Sequence, residues 1–211
     1  MVVVAAGAST RFGADKLMVE VEGRTLIEHT IDAVIGYVDV CVVVSRPGSV
    51  ETVAALRNDI TVVPGGATRT LSEMAGLAAI GREVDLIGIH DAARPLVGGA
   101  TIEALFAAAH AEGGALPLLP YEGLIVHRST HRPLTGLVGA QTPQVFRAPD
   151  LMSAYVRAAE AGFDGHDTVE VVQAFSDTKI VGIQGDTDNV KVTFKGDLEE
   201  VRTRLSGPSR T

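Results

Sequence analysis

The stretch that decides the fold is the opening of the chain, MVVVAAGASTRFGADK, residues 1–16. Its apolar start, residues 2–6, predicts a strand covered on both faces, as in a parallel sheet. The next residues are small and leave backbone amides open, while Arg11 and Lys16 add positive charges. Such a loop suits a polyanion such as a polyphosphate. An ordinary strand-to-helix turn with surface charges is the alternative that this stretch alone leaves open.

Two familiar phosphate-binding loops are excluded by their spacing. The loop of kinases and GTPases needs Gly-x4-Gly-Lys-Ser/Thr, but five residues separate Gly7 from Gly13 and no Gly-Lys pair follows. The dinucleotide fingerprint needs Gly-x-Gly-x-x-Gly, and position 9 is serine. A polyphosphate would therefore be bound by a loop of another kind.

The composition indicates one α/β domain, residues 1–211, and excludes several partners. With 46% hydrophobic and 4% aromatic residues, the core must consist mainly of aliphatic side chains, which suits helices packed on a parallel sheet. A net charge of −8 argues against nucleic-acid and anionic-membrane partners, because no basic surplus neutralises their phosphates. No apolar run could span a bilayer or serve as a signal peptide. We expect a cytoplasmic protein, and leave open whether Met1 is its native start.

Short apolar runs alternate with segments of helical periodicity. The order predicts a three-layer α/β/α sandwich around a mostly parallel sheet. The predicted strands are residues 2–6, 38–45, 60–63, 85–91 and 115–120, and the predicted helices are 25–37, 49–58, 68–81 and 100–113.

Residues 121–146 break this alternation. They combine β-type and turn residues without a helical period, and GLIVHR and LTGLVGA flank a THRP turn. This pattern predicts a hairpin that projects from the body, with a surface loop as the alternative. Because exposed strand edges are normally covered, we expect residues 121–140 to be a dimerisation arm.

Glycines and polar residues follow the third predicted strand, in PGGATRTLSEMAGL, residues 64–77. Gly65 and Gly66 have no side chains, and they come just before a helix whose backbone amides can donate hydrogen bonds to a ligand. Arg69 and Ser72 lie three apart, on one face of that helix. The alternative is a plain turn, with Arg69 paired to a surface acid.

Charged residues also mark two later stretches. Asp91 ends an apolar run in HDAARP, residues 90–95, and Lys191 lies in an alternating stretch, DTDNVKVTFKGDL, that we predict to be a strand. A loop cap and a solvated lysine are the alternatives. However, ligands of open α/β sheets bind beyond the carboxyl ends of the strands, and all four stretches fall on that rim. The histidines show no convincing ligand spacing, which argues against a metal held by protein groups alone.

Five motifs occur in order along nearly the whole chain: AAG-x-x-x-R-x-G, GG-x-x-R-x-x-S, HDAARP, TPQ-x-F and N-x-K-x-T. Together they resemble the 2-C-methyl-D-erythritol 4-phosphate cytidylyltransferase family, which makes an isoprenoid precursor. The resemblance implies a Rossmann-like nucleotidyltransferase fold of the glycosyltransferase-A type and a homodimer with swapped arms. It also implies CTP as substrate and Mg²⁺ as cofactor.

The resemblance assigns roles to individual residues. It places Arg11, Lys16 and Lys191 around the triphosphate, as the catalytic cations, and Asp91, followed by Ala92, near the metal and the acceptor phosphate. It assigns the contacts with cytidine and ribose to Ala5, Ala6, Gly7, Gly66 and Ser72. Gly65 and Arg69, which lie at the same rim, complete the predicted nucleotide-binding set.

Two departures leave the acceptor, and to a lesser degree the base, open. The run RFGADK is short and resembles the molybdopterin guanylyltransferase branch, so a purine is an alternative base. The arm reads EGLIV where the family usually has Asp-Thr-x-Lys, and Thr135 falls where it has an arginine, for which Arg128 or Arg132 could substitute. Another nucleotidyltransferase, acting on an alditol, sugar phosphate or molybdopterin, and a non-catalytic nucleotide-binding protein therefore remain alternatives.

The expected chemistry needs no general base. A phosphate monoester has a second pKa near 6, so most of it is already dianionic at neutral pH. The obstacle is the repulsion between two anions, and catalysis should then consist of positioning and charge neutralisation. We expect Arg11 and Lys16 to hold the triphosphate and Lys191 to stabilise the α-phosphate.

Overall fold

The structure, a computed structural model, describes residues 1–7, 9, 12–120 and 137–206. Its strands are β1 (Val2–Ala5), β2 (Glu20–Val21), β3 (Arg24–Thr25), β4 (Val42–Ser45), β5 (Thr61–Pro64), β6 (Leu86–Asp91), β7 (Gly114–Pro120), β8 (Val138–Ala140), β9 (Gln144–Arg147) and β10 (Ile180–Gln184). Its α-helices are α1 (Leu26–Ile35), α2 (Val50–Ala54), α3 (Arg69–Ala78), α4 (Gly99–Glu112), α5 (Ala148–Glu160), α6 (Thr168–Phe175) and α7 (Asp197–Leu205).

One large sheet organises the described chain, with strand order β10-β7-β9-β6-β1-β4-β5 and β8 added beside β7. β1 pairs in parallel with β4 and β6, β4 with β5, and β7 with β10. β9 runs antiparallel to its neighbours β6 and β7. The mostly parallel sheet is confirmed, and its first five predicted strands are found within a few residues of their expected bounds.

The sheet is covered on both faces, which confirms the three-layer prediction. Val3 and Val43 face a core built with α1, α2, α4 and α7, whereas Val2, Val42 and Val44 face α3, α5 and α6. Neighbouring residues of one strand thus enter opposite cores, as the period of a strand requires.

Helix α3 lies unusually close to the sheet. A Cβ on Gly76 would come within 2.4 Å of Val2 Cγ1 and 2.7 Å of Val44 Cγ2. At the other end, the Thr68 side chain accepts a hydrogen bond from the Leu71 amide and caps the helix. These two features place the first turn of α3 beside the carboxyl ends of β1 and β5.

Lys191 is not in a strand: its segment is irregular, and the Val192 amide donates to Ala93 O at 2.8 Å without a ladder of further bonds. The predicted arm, residues 121–140, lies mostly outside the described residues, and its end forms β8, antiparallel to β7. Among the residues that the structure describes, no helix is both long and apolar enough to cross a membrane.

Candidate active site at the carboxyl ends of the strands

A cavity of about 430 Å³ opens at the carboxyl ends of β1, β5 and β6. Of the described residues that line it, three are cationic and one is a carboxylate, so the cavity is positive in a chain that is acidic as a whole. The predicted site residues that it brings together are Ala5, Ala6, Gly7, Lys16, Gly66, Arg69, Ser72, Asp91 and Lys191.

The wall between β5 and α3 depends on a close backbone approach. A Cβ on Gly65 would lie 2.5 Å from Ala6 Cβ and 2.9 Å from Ser72 Oγ. Ser72 Oγ donates to Thr68 O at 2.8 Å and accepts from the Gly66 amide at 3.2 Å. Gly65 therefore packs behind the wall, while Gly66 and Ser72 lie on it.

Asp91 is the electrostatic centre of the site. Its Oδ1 accepts a hydrogen bond from Arg69 Nη1 at 3.0 Å, and its Oδ2 lies 2.6 Å from Lys191 Nζ. Arg94 Nε is further away, at 3.9 Å from Oδ2. The side chain is only 9% exposed, so the three cations replace the water that a carboxylate would otherwise have around it.

These neighbours fix the charge of Asp91. Burial by itself raises the pKa of this carboxyl, but Arg69 and Lys191, followed by Arg94, outweigh burial and hold its pKa well below the usual range. Asp91 is consequently an anion at any pH at which the protein would work. It can orient cations or a bound metal, but it cannot serve as a proton acceptor near neutrality.

Lys16 reaches the same cavity from the other side. Asp15 precedes it, accepts a hydrogen bond from the Leu17 amide and forms an ion pair with Arg46, so the turn that carries Lys16 is anchored. Lys16 Nζ donates to Val192 O at 2.7 Å. Lys16 and Lys191, predicted from opposite ends of the sequence, thus meet across one cavity.

A buried acid that the sequence did not reveal lies behind Arg69. Glu73 Oε1 is 2.8 Å from Arg69 Nε, and the Glu73 side chain is 1% exposed. Its carboxylate also accepts hydrogen bonds from Tyr155 and Thr168, on α5 and α6. Burial raises the pKa of Glu73, and the charge of Arg69 opposes that shift. The spacing of Arg69 and Glu73, four apart on one helix, was the available signal.

A chain of hydrogen bonds joins the HDAARP and TPQ motifs. Arg94 O can only accept, so His90 Nε2, at 3.1 Å from it, carries the ring proton. His90 Nδ1 then accepts from Thr142 Oγ1 at 3.0 Å, and Thr142 Oγ1 accepts from the Asp91 amide at 3.0 Å. Two motifs that are distant in the sequence thereby position the backbone of Asp91.

A second cavity, of about 460 Å³, adjoins the first, and Lys191 lines both. Arg94, Gln141 and Asn189 also line it. Arg94 Nη1 donates to Asn189 O at 2.6 Å, and Gln141 Nε2 donates to the same oxygen at 3.2 Å. The sequence predicted no role for Arg94, although this residue is part of the HDAARP motif.

The remaining predicted residues lie elsewhere. Ala92 is buried and does not line the main cavity: its amide donates to Val4 O and its carbonyl accepts from Thr30 Oγ1. Arg11, Arg128, Arg132 and Thr135 lie outside the described residues.

The donor set fits a metal ion that is brought by a polyphosphate. Within the described ranges, no three Asp, Glu, His or Cys side chains are grouped as a metal site. Asp91 is the single carboxylate among the described residues that line the main cavity. Mg²⁺ is commonly held by one or two carboxylates together with substrate phosphates and water, and Asp91 can supply that one ligand.

Comparison with known proteins gives one family. The sequence model described as 2-C-methyl-D-erythritol 4-phosphate cytidylyltransferase matches residues 1–206. A protein of that name from Bacillus licheniformis is 33% identical over 100% of this chain and 96% of its own length. A bifunctional enzyme IspD/IspF from Clavibacter michiganensis is 39% identical over 98% of this chain, which spans 55% of that relative.

Solved structures agree with these matches. The crystal structure of 2-C-methyl-D-erythritol 4-phosphate cytidylyltransferase from Thermus thermophilus superimposes with a TM-score of 0.82 at 25% identity, covering 98% of each chain. A crystal structure of 4-diphosphocytidyl-2C-methyl-D-erythritol synthase has a TM-score of 0.78 at 28% identity, covering 97% of this chain and 96% of the other.

Proposed function

Because the chain belongs to the 2-C-methyl-D-erythritol 4-phosphate cytidylyltransferase family, we propose that it transfers a cytidylyl group from CTP to 2-C-methyl-D-erythritol 4-phosphate. Pyrophosphate is released, and the product serves isoprenoid precursor synthesis. The observation that carries this proposal is the cavity that Lys16, Arg69 and Lys191 line together with Asp91, the single carboxylate among its described lining residues. A site of this charge suits a triphosphate and a second phosphate better than any neutral ligand.

The reaction joins two anions. A phosphate oxygen of the acceptor attacks the α-phosphorus of CTP, a new P–O bond forms, and the bond to the bridging oxygen breaks to release pyrophosphate. The acceptor is already deprotonated near neutral pH, so no residue has to remove a proton. The protein contributes alignment and positive charge.

Lys191 is the cation best placed for the reacting centre. It lines both cavities, so it lies between a nucleotide in the first and an acceptor phosphate in the second. Lys16, with Arg11 from the same loop, holds the triphosphate and the departing pyrophosphate. Ala5, Ala6, Gly7, Gly66 and Ser72 hold the cytidine and ribose, where small side chains leave room for the base.

The acceptor occupies the second cavity and the space beyond it. Asp91 and Ala92 begin the loop between the two cavities, and Arg94 adds a buried positive charge on the acceptor side. Arg128, Arg132 and Thr135 are our predicted contributions from the arm of a partner subunit. We accordingly propose a homodimer, located in the cytoplasm.

We propose Mg²⁺ as the cofactor, with Asp91 as its protein ligand and phosphate oxygens as the others. When bound, the ion would neutralise phosphate charge and fix the triphosphate geometry. The ion pairs of Asp91 with Arg69 and Lys191 keep that carboxylate ionised and oriented.

The deciding experiment measures pyrophosphate release by the purified chain from CTP, UTP and GTP. Each nucleotide is paired with 2-C-methyl-D-erythritol 4-phosphate and with other alditol and sugar phosphates. We expect turnover with CTP and the methylerythritol phosphate. The altered arm sequence EGLIV makes another acceptor the specific alternative. Faster turnover with such an acceptor would show that it, and not 2-C-methyl-D-erythritol 4-phosphate, is the substrate. CTP binding without turnover on any acceptor would overturn the enzymatic proposal.

A further inference from the structure

Arg69 is held between two carboxylates that differ in accessibility. Its Nη1 donates to Oδ1 of Asp91 at 3.0 Å, at the cavity, and its Nε lies 2.8 Å from Oε1 of Glu73, in the interior. Each carboxylate engages a different nitrogen of the guanidinium. Because that group is planar and rigid, two fixed nitrogens determine its position and its orientation.

Glu73 is itself immobilised by two other helices. Tyr155 on α5 donates its hydroxyl to Oε2, and Thr168 on α6 donates to Oε1 at 3.2 Å. Tyr155 and Thr168 are buried along with Glu73. Three helices thus converge on one carboxylate that lines neither of the two cavities described above, and the expected mechanism gives it no role.

The consequence for the site lies in the two oxygens of Asp91. Arg69 takes Oδ1, and Oδ2 lies 2.6 Å from Lys191 Nζ. If Arg69 were free to rotate, it would compete with Lys191 for Oδ2 or turn toward the triphosphate. Because Glu73 holds the side of the guanidinium that is turned away from the cavity, Arg69 and Lys191 stay on separate oxygens of Asp91.

We propose that Glu73, held by Tyr155 and Thr168, is a positioning residue that fixes Arg69 on Oδ1 of Asp91 and thereby leaves Oδ2 to Lys191. The proposal rests on the proposed function for its effect on turnover, but the position of Arg69 can be measured separately. A purely structural tie between α3, α5 and α6 is the competing explanation, and it predicts lower stability with no special dependence on Arg69.

The first measurement does not need activity. Arg69 Nε is buried and lies 2.8 Å from Glu73 Oε1, although its N–H makes no hydrogen bond among the described residues. The Arg69 Nε–H resonance, assigned by its loss in Arg69→Lys, should therefore exchange slowly with water in the wild-type protein. We expect it to broaden or vanish in Glu73→Gln and to persist in Glu112→Gln. That control removes a half-buried surface carboxylate from its ion pair with Lys179, at the opposite edge of the sheet. A persistent, slowly exchanging signal in Glu73→Gln would overturn the proposal.

The second measurement is a double-mutant cycle on kcat. We expect Glu73→Gln to lower kcat about tenfold in the wild-type background and less than about twofold in Arg69→Gln, because residues acting through one another are non-additive. Glu73→Asp, which keeps the charge, should recover part of the loss. Equal losses in both backgrounds would support the structural explanation and overturn ours.

The Tyr155→Phe variant and the wild-type protein distinguish a folding defect from a loss of function. Tyr155→Phe removes one hydrogen bond to Glu73 while filling the same space, and should give a smaller loss in the same direction if Glu73→Gln does not fold. No change in Tyr155→Phe, in either kcat or the Arg69 signal, would count against the network. A wild-type protein without turnover would overturn the proposed function, while the Arg69 resonance would still test the positioning.

Discussion

Lys191 Nζ lies 2.6 Å from Oδ2 of Asp91, although the two residues come from distant parts of the chain. Among the described residues, the segment that carries Lys191 pairs with no strand, and the Val192 amide donates to Ala93 O at 2.8 Å. The ion pair therefore brings together the end of β6 and a segment that secondary structure alone would not hold there. A substrate phosphate that displaced Asp91 from this contact would meet a cation already at the site.

The first prediction removes this cation. Lys191→Gln should lower kcat for pyrophosphate release by about 10² to 10³, since removing one group that stabilises developing charge has this order of effect. The KM for CTP should change much less. Lys195→Gln changes an exposed lysine of the same segment and should leave kcat intact. A Lys191→Gln enzyme within about threefold of wild type would show that another group neutralises the α-phosphate.

The second prediction concerns the wall of the nucleotide cavity. In Gly65→Ala the new methyl group would lie 2.5 Å from Ala6 Cβ and 2.9 Å from Ser72 Oγ, so both lining residues must move. Overpacking of this kind typically costs about 1–3 kcal/mol of unfolding free energy, and we expect the KM for CTP to rise about tenfold.

Gly36→Ala provides the control for this overpacking. A Cβ at Gly36, whose φ is −71°, meets nothing within 4 Å. This variant should match or slightly exceed wild-type stability. Urea unfolding and CTP kinetics measure both effects, and a Gly65→Ala protein indistinguishable from Gly36→Ala would contradict the role assigned to the close approach.

The third prediction tests the swapped arm. A variant with both Arg128→Ala and Arg132→Ala should have a higher KM for the acceptor and an unchanged KM for CTP. At an acceptor concentration far below the raised KM, the arm variant and Lys191→Gln should each be nearly inactive. If each arm completes the partner's site, mixing the two should restore activity under these conditions. Random pairing makes half of the dimers mixed, each with one intact site, so about a quarter of wild-type activity is expected. Mixtures that remain as inactive as their components, after dimer exchange is verified, would rule out sharing of the arm.

The sequence predicted the rim of this site better than its interior. Lys16, Asp91 and Lys191 were identifiable because each follows an apolar run or lies in a motif, and chain topology brings strand ends together. Glu73 was missed because a carboxylate in a helix is normally solvent-exposed. Arg69, four residues earlier, is its one neighbour in the sequence, and its hydrogen bonds come from Tyr155 and Thr168, far away in the sequence.

The fold shows the same division. Continuous apolar runs predicted the parallel strands, whereas β9 and β10 escaped detection because they stand outside the regular βα alternation. Alternating residues around Lys191 resembled a strand. The segment is not a strand because it forms no hydrogen-bond ladder with the other described residues. Such a ladder depends on neighbouring strands, which the sequence of the segment itself does not reveal.

The fourth prediction uses the pH dependence of stability. His90 is fully buried, and burial, opposed by the charge of Asp91, lowers its pKa from 6.5 to about 4. Above pH 6.5 His90 is neutral in both the folded and unfolded states, so it adds no pH dependence. Between pH 6.5 and 4 the unfolded chain binds a proton that the folded protein does not, and the unfolding free energy falls as pH falls, by about 3 kcal/mol in total.

Below pH 4 His90 is protonated in both the folded and the unfolded state, so the loss is complete and His90 adds no further pH dependence. His90→Gln, which cannot be protonated, should be less stable at pH 7, because the chain from Asp91 through Thr142 to Arg94 is altered, but should lose about 3 kcal/mol less between pH 6.5 and 4. His166→Gln, at an exposed histidine, should keep the wild-type slope. Urea unfolding at several pH values gives these differences. An equally steep slope in His90→Gln would mean that carboxylates alone cause the acid sensitivity, and that the neutral ring inferred from the hydrogen-bond chain is wrong.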